Sequence, residues 1–239
     1  AVNGQFIWDD VQNVSENQTL RSVEGLGRSW YRIEENLHFY PLTYSSFWID
    51  YQLWNLSTTG YHLTNVLLHA MGSLFLCRVL KTLAVPGAWV AATVFALHPV
   101  HVESVAWITQ RKNVLSLVFY LATLRWWLDF ERHGGRLRYG SALASFLLGM
   151  LSKGAVIACP LVLLLLAWWQ RGRVGRQDLL RALPFLVIAV LLGISEVWFQ
   201  HVRAIGSETI RDAGLGERVL ATGPICWFYF SRAIVPIDL

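Results

Sequence analysis

The segment His98-Pro99-Val100-His101-Val102-Glu103-Ser104-Val105-Ala106-Trp107-Ile108-Thr109-Gln110-Arg111-Lys112-Asn113 sets two imidazoles, a carboxylate and two cations between apolar runs. Ionisable groups at membrane depth are costly and usually functional. A helix continuous from about Val100 would carry Ser104, Trp107 and Arg111 on one face. Arg111 and Lys112 would then stand at the mouth of the next helix, where cationic donors suit a lipid phosphate. Cations at a helix end also snorkel to headgroups with no further role. His98, His101 and Glu103 are metal-ligand types as well, but Pro99 interrupts helical pairing of the two imidazoles and no third His adjoins them. Asp9-Asp10 follows Phe6-Ile7-Trp8; adjacent carboxylates beside aromatics serve either as a general base with a helper or as ligands of a divalent ion. Lys153, in Leu151-Ser152-Lys153-Gly154, is a lone cation between apolar runs, either snorkelling or paired with an anion in a shared cavity.

Weaker signals surround these. Glu196 lies late in an apolar run and either faces the cavity or pairs with Arg203. His62, Asn65 and His69 recur at helical spacing on one side of a span, lining the interior or bonding between helices. Asn13-Val14-Ser15, Asn17-Gln18-Thr19 and Asn55-Leu56-Ser57 match N-glycosylation acceptors. Gly25-Leu26-Gly27 is preceded by no strand and is no dinucleotide fingerprint. The chain has no P-loop, no zinc-spaced Cys pair and no nucleophile elbow.

Apolar runs must position these groups. Of 239 residues, 54% are hydrophobic and 15% charged, against about 25% charge in a soluble domain. This excludes a disordered chain, a collagen and an ordinary soluble enzyme, and predicts an all-α, polytopic membrane helix bundle. Helices are expected at about 62–83, 86–99, 113–130, 139–152, 154–170, 182–200 and 219–236, broken at Pro86-Gly87, Gly134-Gly135, Gly172 and Gly175. Residues 1–60 form an outer loop in which 42–56 reads as an amphipathic helix at the interface or as part of a small polar cap; residues 61–239 form a bundle of about seven helices. Cys77, Cys159 and Cys226 sit in apolar sequence and imply no disulfide framework. Many of the twelve Trp lie at run ends, as an aromatic belt requires.

The net charge of +4 is modest, and its carriers sit in short loops, which argues for membrane lipids as partners and against nucleic acid. Arg78, Lys81, Arg132, Arg136, Arg138, Arg171, Arg173, Arg176 and Arg181 mark one face as cytoplasmic. The first 60 residues, 98–113, 152–154 and 201–218 then share the outer face, periplasmic or lumenal, with the polar residues singled out above.

Phe6-Ile7-Trp8-Asp9-Asp10, Tyr40-Pro41-Leu42-Thr43, Gly60-Tyr61-His62-Leu63-Thr64-Asn65 with His69, Ala96-Leu97 leading into the His98–Trp107 stretch, Arg111-Lys112-Asn113-Val114-Leu115, Leu151-Ser152-Lys153 and Phe228-Tyr229-Phe230 carry a resemblance. Over about residue 5 to the C-terminus the chain resembles the membrane portion of the TMTC (transmembrane and tetratricopeptide-repeat-containing) proteins and their bacterial relatives, with His98–Leu115 the most distinctive stretch. Gly154 and the small residues after it match least well. The resemblance implies a GT-C glycosyltransferase fold, a protein O-mannosyltransferase-like activity, a polyprenyl-phosphate sugar donor and a protein acceptor with Ser/Thr. It also implies a fragment, with one membrane helix before Ala1 and further helices and tetratricopeptide repeats after Leu239, in a bacterial inner membrane or the endoplasmic reticulum.

On that resemblance the acidic pair of the first outer loop maps onto Asp9 and Asp10. Asp9, or else Asp10, would take the acceptor proton. Arg111, Lys112 and Lys153 would hold the departing phosphate, while Glu103 with His98 and His101 would orient the sugar or hold Arg111. A divalent metal on Asp9 and Asp10 is the open cofactor question. Rival functions are a transporter, which would need inverted repeats the sequence lacks, a non-catalytic scaffold for a repeat domain, and a glycosyltransferase for a lipid or cell-wall acceptor on the same fold.

Overall fold

The computed structural model describes residues 4–32, 36, 39–200 and 214–234. Among them the chain is all helical. The elements are α1 (Val23–Tyr31), α2 (Pro41–Trp54), α3 (Thr58–Thr82), α4 (Ala88–Leu97), α5 (Val102–Ala106), α6 (Arg111–His133), α7 (Arg136–Ser152), α8 (Cys159–Arg171), α9 (Arg176–Phe199) and α10 (Leu215–Ile234), with short 3-10 or π turns between several of them. The seven expected helices correspond to α3, α4 and α6–α10, with ends displaced by a few residues.

Among the described residues, three spans are long and apolar enough to cross a membrane: Thr58–Thr82, Gly154–Arg171 and Arg176–Phe199. At 25 and 24 residues, α3 and α9 reach about 36 Å, enough for a hydrocarbon layer of about 30 Å. With only 10 residues, α4 reaches about 15 Å and does not complete the span expected of 86–99. Central α6 packs most heavily against α7 and then against α3. Its buried face, including Val114, Val118, Leu121, Leu124, Trp127 and Leu128, meets protein, so it tolerates a lower hydropathy than a lipid-facing helix.

Two apolar cores result. The larger joins α6, α7, α8 and α9 through Trp127, Leu128, Ala142, Phe146, Cys159, Leu163, Phe185 and Ala189; the Trp127 and Phe185 rings meet edge-on at 5.4 Å. Gly134 and Gly135 reverse the chain between α6 and α7 with φ of 63° and 99°, a region side chains with a Cβ rarely enter. The smaller core, Val14, Leu20, Tyr44, Phe47, Tyr61 and Ile108, binds the N-terminal segment and α2 to the start of α3. Segment 42–56 thus has two faces: Tyr44, Phe47 and Asp50 are buried, whereas Ile49, Leu53 and Trp54 are exposed.

The helices alternate, so their ends fall into two groups. At one end Arg132 donates to the Thr82 carbonyl and Glu131 takes Arg171 and Arg181, while Arg171 also reaches Asp178 at 2.6 Å. The other end gathers the N-terminal segment, the starts of α3 and α6, the His98–Gln110 connection, the 152–154 turn and the end of α9.

Candidate functional site

The expected continuous helix through 100–111 is broken. α5 stops at Ala106, Trp107 is extended with φ −87° and ψ 120°, and a 3-10 turn, Ile108–Gln110, precedes α6. The cause is side-chain competition for backbone groups. Asn65 on α3, fully buried, donates through Nδ2 to the carbonyls of Val105, Trp107 and Ile108 at 3.2–3.4 Å. Asp10 accepts the Thr109 amide N–H through Oδ1 at 2.7 Å, and the Thr109 hydroxyl as well. These bonds replace the intrahelical ones a continuous helix would make.

The break turns Arg111 inward. Its side chain is 0% exposed and its Nη2 pairs with Asp50 at 2.6 Å. Nη2 also donates to the Tyr61 carbonyl at 3.0 Å, Nη1 to Ser46 Oγ at 3.4 Å, and Nε to Asn65 Oδ1, while the guanidinium lies 5.1 Å from the Phe47 ring centroid. The phosphate contact expected of Arg111 therefore does not match its surroundings: its donors are spent on α2 and α3. Asp50 was legible only as one acidic residue in an aromatic helix; its place among rings was the available signal for a buried pair.

The acidic pair divides. Asp10 is 1% exposed, and with Oδ2 accepting the Ile7 amide at 3.2 Å both its oxygens fasten the first loop. Asp9 is half-buried, and its Oδ1 is buried without a hydrogen-bond partner among the described residues. The charge of Asp9 acts on Lys112. No group of three or more His, Cys, Asp or Glu gathers in metal-ligating geometry among the described residues.

Lys153 comes to the same end. Its Nζ donates to Asn113 Oδ1, and Asn113 Nδ2 donates to Gln110 Oε1 at 2.8 Å and to Ser104 Oγ at 3.1 Å. A cavity of about 260 Å³ opens here, lined by Asn113, Ser116, Tyr120 and Lys153 among others. Burial and the like charge of Lys112 hold the Lys153 ammonium below the ordinary lysine value, against the upward pull of Glu196 and Glu103. The turn that presents Lys153 is held from two sides. Thr43 Oγ1 donates to the Ser152 carbonyl at 2.9 Å. Tyr40 OH donates to Glu196 Oε1 at 2.6 Å, and burial with this bond pushes the Tyr40 phenol above its usual range. Glu196 lies so close to Gly154 that a Cβ there would overlap its carboxylate. The proposed partner of Glu196, Arg203, lies outside the described residues.

His98 and His101 are not brought to this cavity. His98 Nδ1 accepts the Val100 N–H at 3.2 Å. The His101 ring packs 4.2 Å from Phe95 and 5.3 Å from His69, and His69 Nε2 bonds the Ala96 carbonyl at 3.1 Å. Burial, with His69 and His98 as neighbours, holds His101 below the ordinary imidazole value. Exposed Glu103 borders a second cavity of about 530 Å³ with Tyr229 and Arg232 of α10. Of the glycosylation acceptors, Asn13 and Asn17 are buried and hydrogen-bonded, and Asn55 is exposed.

This end therefore holds a half-buried carboxylate, Asp9, whose charge acts on Lys112, and a second ammonium, Lys153, that neighbours Lys112 and borders a small cavity, while Asp10 and the Arg111 guanidinium are consumed in holding the frame. Over 138 residues the chain is 32% identical to a protein O-mannosyl-transferase of Caenorhabditis elegans, covering 52% of this chain and 20% of that protein. It is 31% identical over 140 residues to the human protein O-mannosyl-transferase TMTC3, covering 54% of this chain and 15% of that one. It is 30% identical over 183 residues to the mouse protein O-mannosyl-transferase TMTC2, covering 72% and 21%. The chain spans about a fifth of the length of such relatives. No family model and no solved structure matches it.

Proposed function

The sequence places this chain in a TMTC-like family, and from that premise we propose that it is the membrane part of a GT-C type glycosyltransferase that moves a sugar, as its relatives' name implies mannose, from a polyprenyl phosphate to Ser/Thr of a protein. In this reading residues 1–60 stand on the lumenal or periplasmic face, above the bundle of residues 61–239. The observation that carries it is the Asp9 Oδ1 atom, buried and without a hydrogen-bond partner among the described residues, with its charge acting on Lys112, itself a neighbour of Lys153.

Asp9 takes the proton of the acceptor hydroxyl as that oxygen attacks the anomeric carbon. The bond from that carbon to the phosphate oxygen breaks with inversion, and the electron pair leaves on the lipid phosphate. Lys112 and Lys153 neutralise the charge that develops there. Asn113, bonded to Lys153, aims its ammonium. Glu103 acts at a distance by keeping Lys153 charged. Asp10 and Arg111 are positioning residues: they hold the first loop and the start of α6 so that Asp9 and Lys112 face each other. His98 and His101 brace the connection from α4 to α5 in this scheme.

The test is Asp9→Asn in the full-length protein, assayed for mannose transfer from a polyprenyl-phosphate donor to a Ser/Thr peptide. The expected result is a fall in kcat of about 10²–10⁴ with donor KM and melting temperature unchanged. Transfer at the parental rate in the folded variant would remove Asp9 as the base.

A further inference from the structure

Trp8 precedes Asp9, and its geometry is not that of a passive neighbour. It sits in a tight turn closed by Asp10 N–H to the Ile7 carbonyl at 2.9 Å. Its φ is 47°, a left-handed conformation that bulky residues rarely take and that tends to persist only where the surrounding structure enforces it. The turn leaves the indole 75% exposed yet fixed edge-on against Trp107, with ring centroids 5.0 Å apart. Trp107 Nε1 and Asp9 Oδ1 are both buried and without hydrogen-bond partners among the described residues. The exposed indole thus lies beside two residues, Trp107 in ring contact and Asp9 next in sequence, that carry a donor and an acceptor without described partners.

We propose that Trp8 is the stacking platform for the transferred hexopyranose, with Trp107 Nε1 and Asp9 as the polar groups at its edge. This rests on the transferase reading above. A pyranose presents a patch of C–H groups on one face and hydroxyls around its rim. The apolar face suits an indole, and the rim suits unpartnered donors and acceptors beside it. Both wants are met in one place, next to the residue that would activate the acceptor. An interfacial anchor explains the exposure of Trp8 but not the fixed, left-handed turn, because an indole in a membrane interface needs no set orientation.

The experiment compares Trp8→Phe and Trp8→Leu in the full-length protein. Saturation-transfer NMR with methyl α-mannopyranoside reads sugar contact; transfer from the lipid donor reads function. The expected result is loss of the NMR signal and a fall in kcat/KM of about ten-fold in Trp8→Leu, the scale of one aromatic contact, with both largely restored in Trp8→Phe and the melting temperature unchanged. Equal NMR signal in Trp8→Leu and the parent overturns the platform. So does a parent that gives no signal, or a Trp8→Leu protein that loses only vesicle partitioning, which would make Trp8 an anchor. A parent that contacts the sugar through Trp8 but transfers none of it sinks the transferase reading and leaves the platform standing.

Discussion

Lys153 gives the proposed site a testable part of its response to pH. Lys153 is held below the ordinary lysine value of 10.5 chiefly by burial, then by Lys112. The unfolded chain keeps that proton up to the ordinary value, while the folded chain releases it earlier. Between the two values the unfolded state binds more protons, so stability of the unliganded protein rises with pH across that window. Binding of a phosphate runs the other way, because only the ammonium attracts it. Donor KM should therefore climb in alkaline solution before an ordinary lysine would titrate, while melting temperature increases. Lys153→Arg, charged throughout, should reduce the climb in KM, leaving the share that Lys112 contributes. The assignment of Lys153 to the phosphate fails if parent and Lys153→Arg lose donor affinity at the same pH. Such behaviour could not be read from the sequence, where Lys153 was equally a snorkelling cation. Its meaning comes from Asn113 and Lys112, one helix away, and from Glu196, two helices away.

Among elements, α2 is the piece whose role depends most on one pair. Asp50 on α2 and Arg111 at the start of α6 are both buried, and their 2.6 Å contact bridges two elements joined otherwise by few contacts. Removing either partner leaves a charge in the interior, at a cost of about 3–5 kcal/mol, whereas replacing both with apolar residues is often close to neutral. Arg111→Met and Asp50→Leu should each lower stability strongly, and the double variant should recover much of the loss; chemical denaturation in detergent measures all three. Additive losses would show that the ion pair is not what couples α2 to α6. The helices themselves were legible because apolar runs and glycine breaks, such as Gly134-Gly135, are local signals. The shortness of α4 and the break at Trp107 were not, since both depend on long-range partners: Asn65 reaches forty residues or more along the chain, and Asp10 about a hundred. For the same reason Arg111 was legible as special but not as buried, and Asp9 and Asp10 as a pair but not as divided in role.

For the whole molecule, the proposed function requires that the two groups of helix ends lie on opposite sides of a membrane. One end carries Arg132, Arg171, Arg173, Arg176 and Arg181 with Glu131 and Asp178; the other carries Asp9, Lys112, Lys153 and Glu196. In the proposed reading the Lys and Arg excess makes the first end cytoplasmic, and a sugar carried on a lipid is released at the second. Gln12 and Arg173 are both exposed, one at each end. With Cys77, Cys159 and Cys226 replaced, Gln12→Cys and Arg173→Cys report the two ends separately to a membrane-impermeant thiol reagent. In sealed cells or right-side-out vesicles of the compartment, Gln12→Cys should be labelled from the lumenal or periplasmic side and Arg173→Cys only after permeabilisation. Labelling of both from one side would place the cationic loops and Asp9 on the same face, and an orientation set by the basic loops could no longer bring a lumenal acceptor to Asp9.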